Sequence, residues 1–270
     1  MTSGTLVARA LPPAVFTGLR AQRMLERNVM VYRRAWIVIL SGFFEPVFYL
    51  FSIGIGVGRL VGGIDLADGT VVSYAAFVAP ALLASSAMNG AVFESTINIF
   101  FKLTYGKIYD AILATPMRPL DIALGEITWS LIRGVLYAFG FVMVMIGFGL
   151  IESVWALMAI PAALLIGFAF AAVGMAATSF MRSWQDFDFV NLITLPLFLF
   201  SATFYPLDVY PVVLQHLTRF SPLYHGVELI RGFTLGAIDV TMVGHAAFLL
   251  VMGLTGSLVA SRRLEKLLLR

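Results

Sequence analysis

Ionisable and hydroxyl side chains occur inside long apolar stretches of this sequence. Glu94 lies near the end of one stretch, and Glu126, Ser130 and Arg133 follow in the next at i, i+4 and i+7, on one helical face. A charge at the centre of a membrane helix costs roughly 2.5–3.5 kcal/mol, so each charge requires a partner or a wet surface. The first interpretation is an ion pair or interhelical hydrogen bond that fixes packing and relays motion. Direct contact with cargo and proton translocation are the alternatives.

A second group of polar residues offers weak metal-ligand chemistry. His225 and Glu228 are three positions apart, with Arg231 three further on, so this segment supplies at most two ligands. The sequence contains no H-E-x-x-H, only three histidines and no cysteine, which removes thiolate catalysis and cysteine-based metal sites. We therefore expect no catalytic, cofactor or metal site, and expect these three residues to form a hydrogen-bonded cap on the outer face.

Aromatic residues precede this cap. The segment "FSATFYPL" places Phe200, Phe204 and Tyr205 near the outer end of an apolar stretch. Such aromatic residues are usually interface anchors or packing groups. A role as a gate at the outer end of this stretch is the alternative.

The elements that carry these residues are membrane helices. The chain has 270 residues, of which 60% are hydrophobic and 12% charged, whereas soluble domains average about 25% charged residues. Apolar runs of about 20 residues predict an all-α integral membrane domain with six spans. We place these spans at residues 36–58, 71–101, 120–151, 154–181, 187–204 and 241–259 of one domain that covers 1–270.

Basic residues predict the orientation of the chain. The segments before the first span, after the second and fourth spans and after the sixth hold 14 Lys and Arg residues, whereas the opposite loops hold three. By the positive-inside rule both termini face the cytoplasm. Residues 14–34 place Val15, Leu19, Met24 and Val31 near basic positions and are predicted to form an amphipathic helix in the cytoplasmic interface, with a solvated basic leader as the alternative. Prolines divide 205–236 into short outer helices that dip back into the membrane or lie on it.

A short amphipathic helix is predicted in the cytoplasmic loop after the second span. Its apolar positions form one helical stripe, and Lys107, Asp110 and Ala111 lie on the other side. Such a helix lies on lipid or fits a groove on another protein. The stripe consists of Tyr105, Ile108, Tyr109, Ile112 and Leu113.

Long ordered blocks of the chain resemble a known family. The blocks are "FVAPALLASSAMNGAVFEST", "YDAILATPMRPLDIALGEITWSLIRG", "FSATFYPLDVYP" and "SPLYHGVELIRG". Together they resemble the ABC-2 family of transporter permeases, and within it the NodJ type of lipo-oligosaccharide (nodulation-factor) exporter subunits. The resemblance covers about residues 15–265.

The resemblance implies partners and roles for particular segments. In this family a coupling helix in the loop between spans two and three docks onto a separate ATP-hydrolysing subunit. That role maps onto residues 105–114, and the family's interface helix maps onto 14–34. The chain has no G-x-x-x-x-G-K-[ST] of its own. The resemblance therefore implies two partner ATPases, which bind ATP and Mg, and a second copy of this chain or of a close homologue. The implied coupling residues are Tyr105, Lys107, Ile108, Tyr109, Asp110, Ile112 and Leu113.

The expected function is that of a permease without its own ATPase site. It would move a lipid-linked saccharide or another amphiphile outward across a bacterial inner membrane, between two permeases along spans one and five. We expect Glu126 and Arg133 to couple the ATPase stroke to the spans. Efflux of a drug or natural product is the alternative within the family; a lipid-modifying membrane enzyme and a secondary transporter are remote ones. Lipid is an expected partner and nucleic acid is not.

Overall fold

The computed structural model describes residues 13–34, 44–66 and 69–268. Within these ranges the chain is helical apart from loops and one antiparallel hairpin, β1 (Gly63–Asp65) with β2 (Val71–Ser73). Five of the described helices are long and apolar enough to cross a membrane. The predicted all-α membrane fold is therefore confirmed. The five helices are α2 (Phe44–Val61), α3 (Tyr74–Tyr105), α5 (Pro119–Gly147), α6 (Val154–Thr178) and α10 (Thr241–Leu268).

The region predicted as the fifth span forms a shorter helix, α7 (Phe187–Leu199). Its 13 residues extend about 20 Å at a rise of 1.5 Å per residue, less than the hydrocarbon core of about 30 Å. The helix stops at Leu199, and Ala202 beyond it has a left-handed backbone with φ +55°. The predicted bounds 187–204 are therefore too long, and the count of six spans stays a prediction.

Other predicted boundaries also shift. Val71–Ser73 belong to the hairpin, so α3 begins at Tyr74, where the Ser73 hydroxyl accepts a bond from the Ala76 amide. An apolar run such as Val71–Val72 does not by itself distinguish a strand from the start of a helix. The helix of the third predicted span, 120–151, ends at Gly147, and the helix that contains the sixth, 241–259, continues to Leu268. Residues 36–43 of the first predicted span lie outside the described residues.

Two short helices occupy the predicted outer segment 205–236. They are α8 (Val212–Phe220) and α9 (Pro222–Leu235), preceded by a 3-10 turn at Leu207–Val209. Ser221 caps α9, Pro222 occupies its first turn, and Gly236 ends it in the left-handed conformation, with φ +86°. Helix α9 packs on α3, α6 and α10, so this part of the segment belongs to the helical core.

The remaining helices are α1 (Pro13–Arg34) and α4 (Ile108–Leu113), which lie close to the N-terminal part of α5. A small hydrophobic core joins them, because Met24 of α1 and Tyr109 of α4 are buried together with Ile122 of α5. A larger core is formed by α3, α5, α6 and α9. Close packing of α6 on α10 relies on glycine: a Cβ at Gly256 would lie 2.9 Å from the α6 backbone.

Candidate functional site

Glu126 of α5 binds side chains from three other helices, and we call this group the Glu126 junction. Its carboxylate accepts from Lys102 Nζ of α3 at 2.8 Å, Tyr109 Oη of α4 at 3.1 Å and Asn28 Nδ2 of α1 at 3.3 Å. Arg27 Nη1 lies 4.0 Å away. Glu126 is 3% exposed, so these bonds replace the water that a buried carboxylate would lose. One side chain therefore joins α1, α3, α4 and α5.

Glu94 of α3 and Arg133 of α5 form a second buried group. Arg133 Nη1 donates to Glu94 Oε2 and, at 3.0 Å, to the Tyr32 hydroxyl of α1. Arg133 Nη2 donates to the Tyr137 hydroxyl at 3.2 Å, and Asn98 Nδ2 donates to Glu94 Oε1. Glu94 and Asn98 bound a π-helical stretch of α3, a local distortion that is frequent at functional sites.

Glu126 and Arg133 do not pair with each other along α5. Each charge has its own partner on α3, Lys102 for Glu126 and Glu94 for Arg133. Ser130 is half-buried and lines a cavity with Glu94 and Arg133. The four predicted relay residues therefore lie in one region, but they are joined through partners on α1, α3 and α4. Their role as a relay stays a prediction.

Two tyrosine hydroxyls in these groups are held in the protonated form. Burial, followed by the negative charge of Glu94, raises the pKa of Tyr32 to about 12. Burial and the charge of Glu126 raise the pKa of Tyr109 well above its usual value. A tyrosine that keeps its proton at neutral pH donates a hydrogen bond to a carboxylate, and such bonds to charged groups contribute about 1.5–3 kcal/mol.

The apolar stripe of α4 faces the protein itself. Tyr109 is 1% exposed, and Ile112 and Leu113 pack against the small core. Lys107 and Asp110 are exposed on the opposite side. This chain therefore covers Tyr109, whereas Ile108, Ile112 and Leu113 stay partly exposed. Docking of the helix on lipid or in a partner's groove stays a prediction.

The predicted coupling segment 105–114 is also shorter in the structure. Tyr105 ends α3, and Lys107 forms a left-handed turn, with φ +43°, between α3 and α4. Ile108 is half-buried, whereas Tyr105 is 60% exposed. The six residues Ile108–Leu113 form the helix itself. Tyr105 therefore stands apart from the buried stripe to which the sequence pattern assigned it.

Helix α1 presents a narrow buried stripe to α5. Met24 and Asn28 are buried and Tyr32 is half-buried, four positions apart along the helix. Val31, one of the apolar residues of the predicted amphipathic face, is instead 53% exposed. The side chains of Val15 and Leu19, also assigned to that face, lie outside the described ones. The position of α1 in a lipid interface stays a prediction.

A cavity of about 730 Å³ lies between α2, α3, α5 and α7. Arg133 and Tyr137 form one part of its wall, so the Glu94–Arg133 group borders it. Its lining combines aromatic rings with amide, hydroxyl and carboxylate groups, which suits a ligand that has both polar and apolar parts. These lining residues include Glu45, Tyr49, Asn89, Phe93, Asn191, Thr194 and Phe198.

At the outer end, the predicted cap residues make separate contacts. Arg231 is 7% exposed, donates to the Ala202 carbonyl at 2.7 Å and pairs with Glu228 at 2.6 Å. It also lies 3.9 Å above the Phe77 ring of α3. These contacts hold the chain after α7 against α3 and α9. The cap function that the sequence suggested for Arg231 and Glu228 stays a prediction.

His225 points to a different neighbour. Its Nδ1 lies 2.7 Å from Nδ1 of His245 in α10, and its ring stacks on Phe248. Burial and the charge of His245 lower the pKa of His225 to about 4. In the described part of the chain no group of three or more His, Asp or Glu side chains is arranged to hold a metal ion.

Two of the three predicted gate aromatics contact aromatic rings outside the predicted group. Phe204 packs edge-on against Phe198 of α7, and Tyr205 lies against Tyr210 with ring centroids 4.5 Å apart. Phe200 is 41% exposed, and its carbonyl accepts a bond from Thr218 of α8. These contacts connect the end of α7 to α8, and the gating role stays a prediction.

Several residues of these groups were missed in the sequence. The positive-inside rule placed Lys102 among the charges of a cytoplasmic loop, yet its side chain is 8% exposed. Tyr32, Tyr137 and His245 carry no motif that distinguishes them from other aromatic residues. Asn28 lies in the basic N-terminal segment, where only its spacing of four from Met24 indicates a buried face.

Comparison with known proteins identifies the family. The model of the ABC-2 type transporter family matches residues 20–235. Nodulation protein J of Rhizobium leguminosarum bv. trifolii is 33% identical over 247 residues, covering 91% of this chain and 92% of that protein. Nodulation protein J of Rhizobium meliloti (strain 1021) is 33% identical over 214 residues, or 78% of this chain and 80% of that protein. The chain therefore belongs to the ABC-2 type transporter family, as a membrane-embedded transport subunit similar to Nodulation protein J.

Proposed function

We propose that this chain is the permease of an ATP-driven exporter whose ATP is bound and hydrolysed, with Mg, by two copies of a separate ABC ATPase. The Glu126 junction carries this proposal. Tyr109 of α4 bonds to the same carboxylate as Lys102 of α3 and Asn28 of α1. Because Tyr109 bonds to Glu126 and also lies in the small core with Met24 and Ile122, a push on α4 reaches α1, α3 and α5 through one buried region.

The docking surface we propose is the exposed face of α4 and its flanking turns. Lys107, Asp110 and Ala111 are exposed there, and Thr115 and Arg118 extend the same polar surface. Both signs of charge are present, which favours a specific orientation of a charged partner surface. The buried stripe beneath it makes this surface rigid enough to transmit force. The predicted coupling residues therefore form two groups, an exposed group that would dock the partner and an inner group that includes Tyr109.

The cargo we propose is a lipid-linked saccharide or another amphiphile. The cavity between α2, α3, α5 and α7 presents amide and charged groups, while α7 exposes Phe189, Leu192 and Ile193. A ligand with a polar head and an apolar tail would satisfy both surfaces. The similarity to proteins named Nodulation protein J supports the saccharide. Drug or natural-product efflux remains the alternative cargo.

The proposed assembly is a pair of permeases in a bacterial inner membrane. One ABC-2 transmembrane domain would occupy residues 1–270, and two copies, or one copy with a close homologue, would enclose the cargo path. The excess of Lys and Arg on one side supports cytoplasmic termini. Exposed apolar residues of α7 and α2 support a further protein or lipid neighbour on that side of the cavity.

The docking proposal is tested by a charge reversal, Asp110→Arg, on the exposed face of α4. We expect loss of ATPase association and of transport in reconstituted vesicles, with an unchanged melting temperature, because Asp110 makes no core contact. Asp65→Arg on β1, in the loop at the opposite end of α3, is the matched control and should leave both activities intact. Full ATPase binding by Asp110→Arg would overturn the assignment of this face.

The cargo proposal is tested separately by mass spectrometry of lipids that copurify with the permease–ATPase complex. A glycolipid enriched over the bulk membrane supports the saccharide cargo. Enrichment should fall in Asn89→Leu and Asn191→Leu, which remove amide groups from the cavity wall. A complex that carries only bulk phospholipid, but transports a hydrophobic dye, would favour the efflux alternative.

A further inference from the structure

A second, smaller cavity lies behind Arg133, between α3, α5 and α6. Its volume is about 20 Å³, and a cavity of roughly 10–15 Å³ already holds one water molecule. One glycine from each of the three helices lines it: Gly90, Gly134 and Gly167. A Cβ built at Gly90 or Gly134 would meet no atom within 4 Å. The missing side chains of two membrane helices therefore help to create this space.

Arg133, which lines this cavity, has an unused hydrogen-bond donor. Its Nη1 donates to Glu94 and Tyr32, and its Nη2 donates to Tyr137. Its Nε is buried and has no partner among the residues that the structure describes, although the side chain as a whole is 9% exposed. A buried donor without a partner costs about 1–3 kcal/mol, and more when the group is charged. A polar ligand at Nε would remove this cost.

The polar groups of the residues that line the cavity indicate which ligand it would bind. Ser86, Ser130 and Glu94 line the same cavity, and their side chains carry hydroxyl and carboxylate groups. A water molecule can accept from Nε and donate to a hydroxyl or a carboxylate oxygen, which gives the two to four bonds that buried waters make. The guanidinium charge is already matched by Glu94, so an anion is not required.

We propose that this cavity is a water-binding site that completes the hydrogen bonds of Arg133 and fixes the position of the Glu94–Arg133 pair. The water would occupy the space left by Gly90 and Gly134 and bond to Arg133 Nε and to Ser130 or Ser86. The site adjoins the large cavity, because Ser86, Gly90, Arg133 and Tyr137 line both. It does not depend on the identity of the cargo or on an ATPase.

Filling the cavity with a methyl group tests the proposal, because a water-filled cavity and a dry cavity predict opposite changes in melting temperature. In Gly134→Ala the methyl displaces the water and leaves Nε unpaired. We therefore expect a melting temperature below wild type by about 3 °C or more for the full-length protein in nanodiscs. Gly244→Ala on α10 is the control, because its Cβ also meets no atom within 4 Å and reports the gain from replacing a helical glycine. A dry cavity would instead let Gly134→Ala stabilise the protein at least as much as Gly244→Ala does, and that result would overturn the proposal.

A density map of the wild-type protein provides a second test that needs no variant. At a resolution that shows ordered water elsewhere in the protein, a peak is expected 2.7–3.2 Å from Arg133 Nε. The same peak should be absent in Gly134→Ala. An empty wild-type cavity in such a map, with other buried waters visible, would refute the site.

Discussion

Replacing the ion pair of the Glu126 junction by apolar residues is expected to rescue a destabilised variant. In Glu126→Met, Lys102 loses the carboxylate that lies 2.8 Å from its Nζ. Its side chain is 8% exposed, so water cannot replace this partner. Removal of one partner from a buried pair costs about 3–5 kcal/mol. Tyr109 and Asn28 also lose an acceptor, which places this variant at the upper end of that range.

The reciprocal variant should be milder. In Lys102→Met, Glu126 keeps its bonds from Tyr109 and Asn28, and Arg27 Nη1 lies 4.0 Å from the carboxylate as a second cation. The double variant Glu126→Met with Lys102→Met removes both members of the closest ion pair, and the remaining cation, Arg27, has a side chain that is 28% exposed and so keeps access to water. Because apolar replacement of a whole buried pair is often neutral or stabilising, the double variant should be more stable than Glu126→Met alone.

Thermal unfolding of purified protein in nanodiscs measures these differences. At roughly 2–4 °C per kcal/mol for chains of this size, Glu126→Met should melt about 6–20 °C below wild type. The double variant should recover part of that loss. Tryptophan fluorescence is a suitable signal, since the Trp129 ring lies 5.1 Å from the Tyr32 ring beside the junction. A double variant that melts at or below Glu126→Met would refute the reasoning that an unpaired Lys102 dominates the cost.

Three further predictions concern other contacts. Tyr109→Phe removes one donor to a buried carboxylate and should lower the melting temperature by about 3–12 °C, with ATPase stimulation reduced as well; unchanged stimulation would exclude Tyr109 from coupling. The pKa of His225 is lowered to about 4 by burial beside His245, so stability should be complete above pH 6.5 and decline as pH falls toward 4, as measured by melting curves; His225→Gln should flatten that decline. Gly256→Ala places a methyl 2.9 Å from the α6 backbone and should lower the melting temperature, whereas Gly244→Ala should not.

The sequence predicted the membrane class and most helices because their signals are local. A scarcity of charge and runs of apolar residues follow directly from the cost of exposing polar groups to lipid. Proline and glycine positions likewise marked the turns around α8 and α9. The region 187–204 was harder, because its apolar run continues past Leu199 while the backbone turns at Ala202. That turn is stabilised by Arg231 from a distant helix.

The sequence predicted residues that belong to the candidate site, but not which side chains pair with them. Glu94, Glu126 and Arg133 stood out because charges are rare in apolar segments. Their partners could not be found in the same way, since Tyr32 lies 101 residues from Arg133 and Asn28 lies 98 residues from Glu126. The stripe of α4 was recognised correctly as apolar. Which of its residues this chain covers could not be predicted, because periodicity defines a face without identifying the surface against which that face packs.

The sequence alone determined that this chain is a membrane protein, that the charges in its apolar segments need partners, and that one short amphipathic helix lies between two spans. These properties follow from the composition of single segments. The tertiary structure decided which charges pair, that Tyr109 faces inward to Glu126, and that glycines of three helices leave a cavity beside Arg133. Such contacts depend on how helices distant in sequence are placed within a few ångströms of one another, and no local pattern specifies that placement.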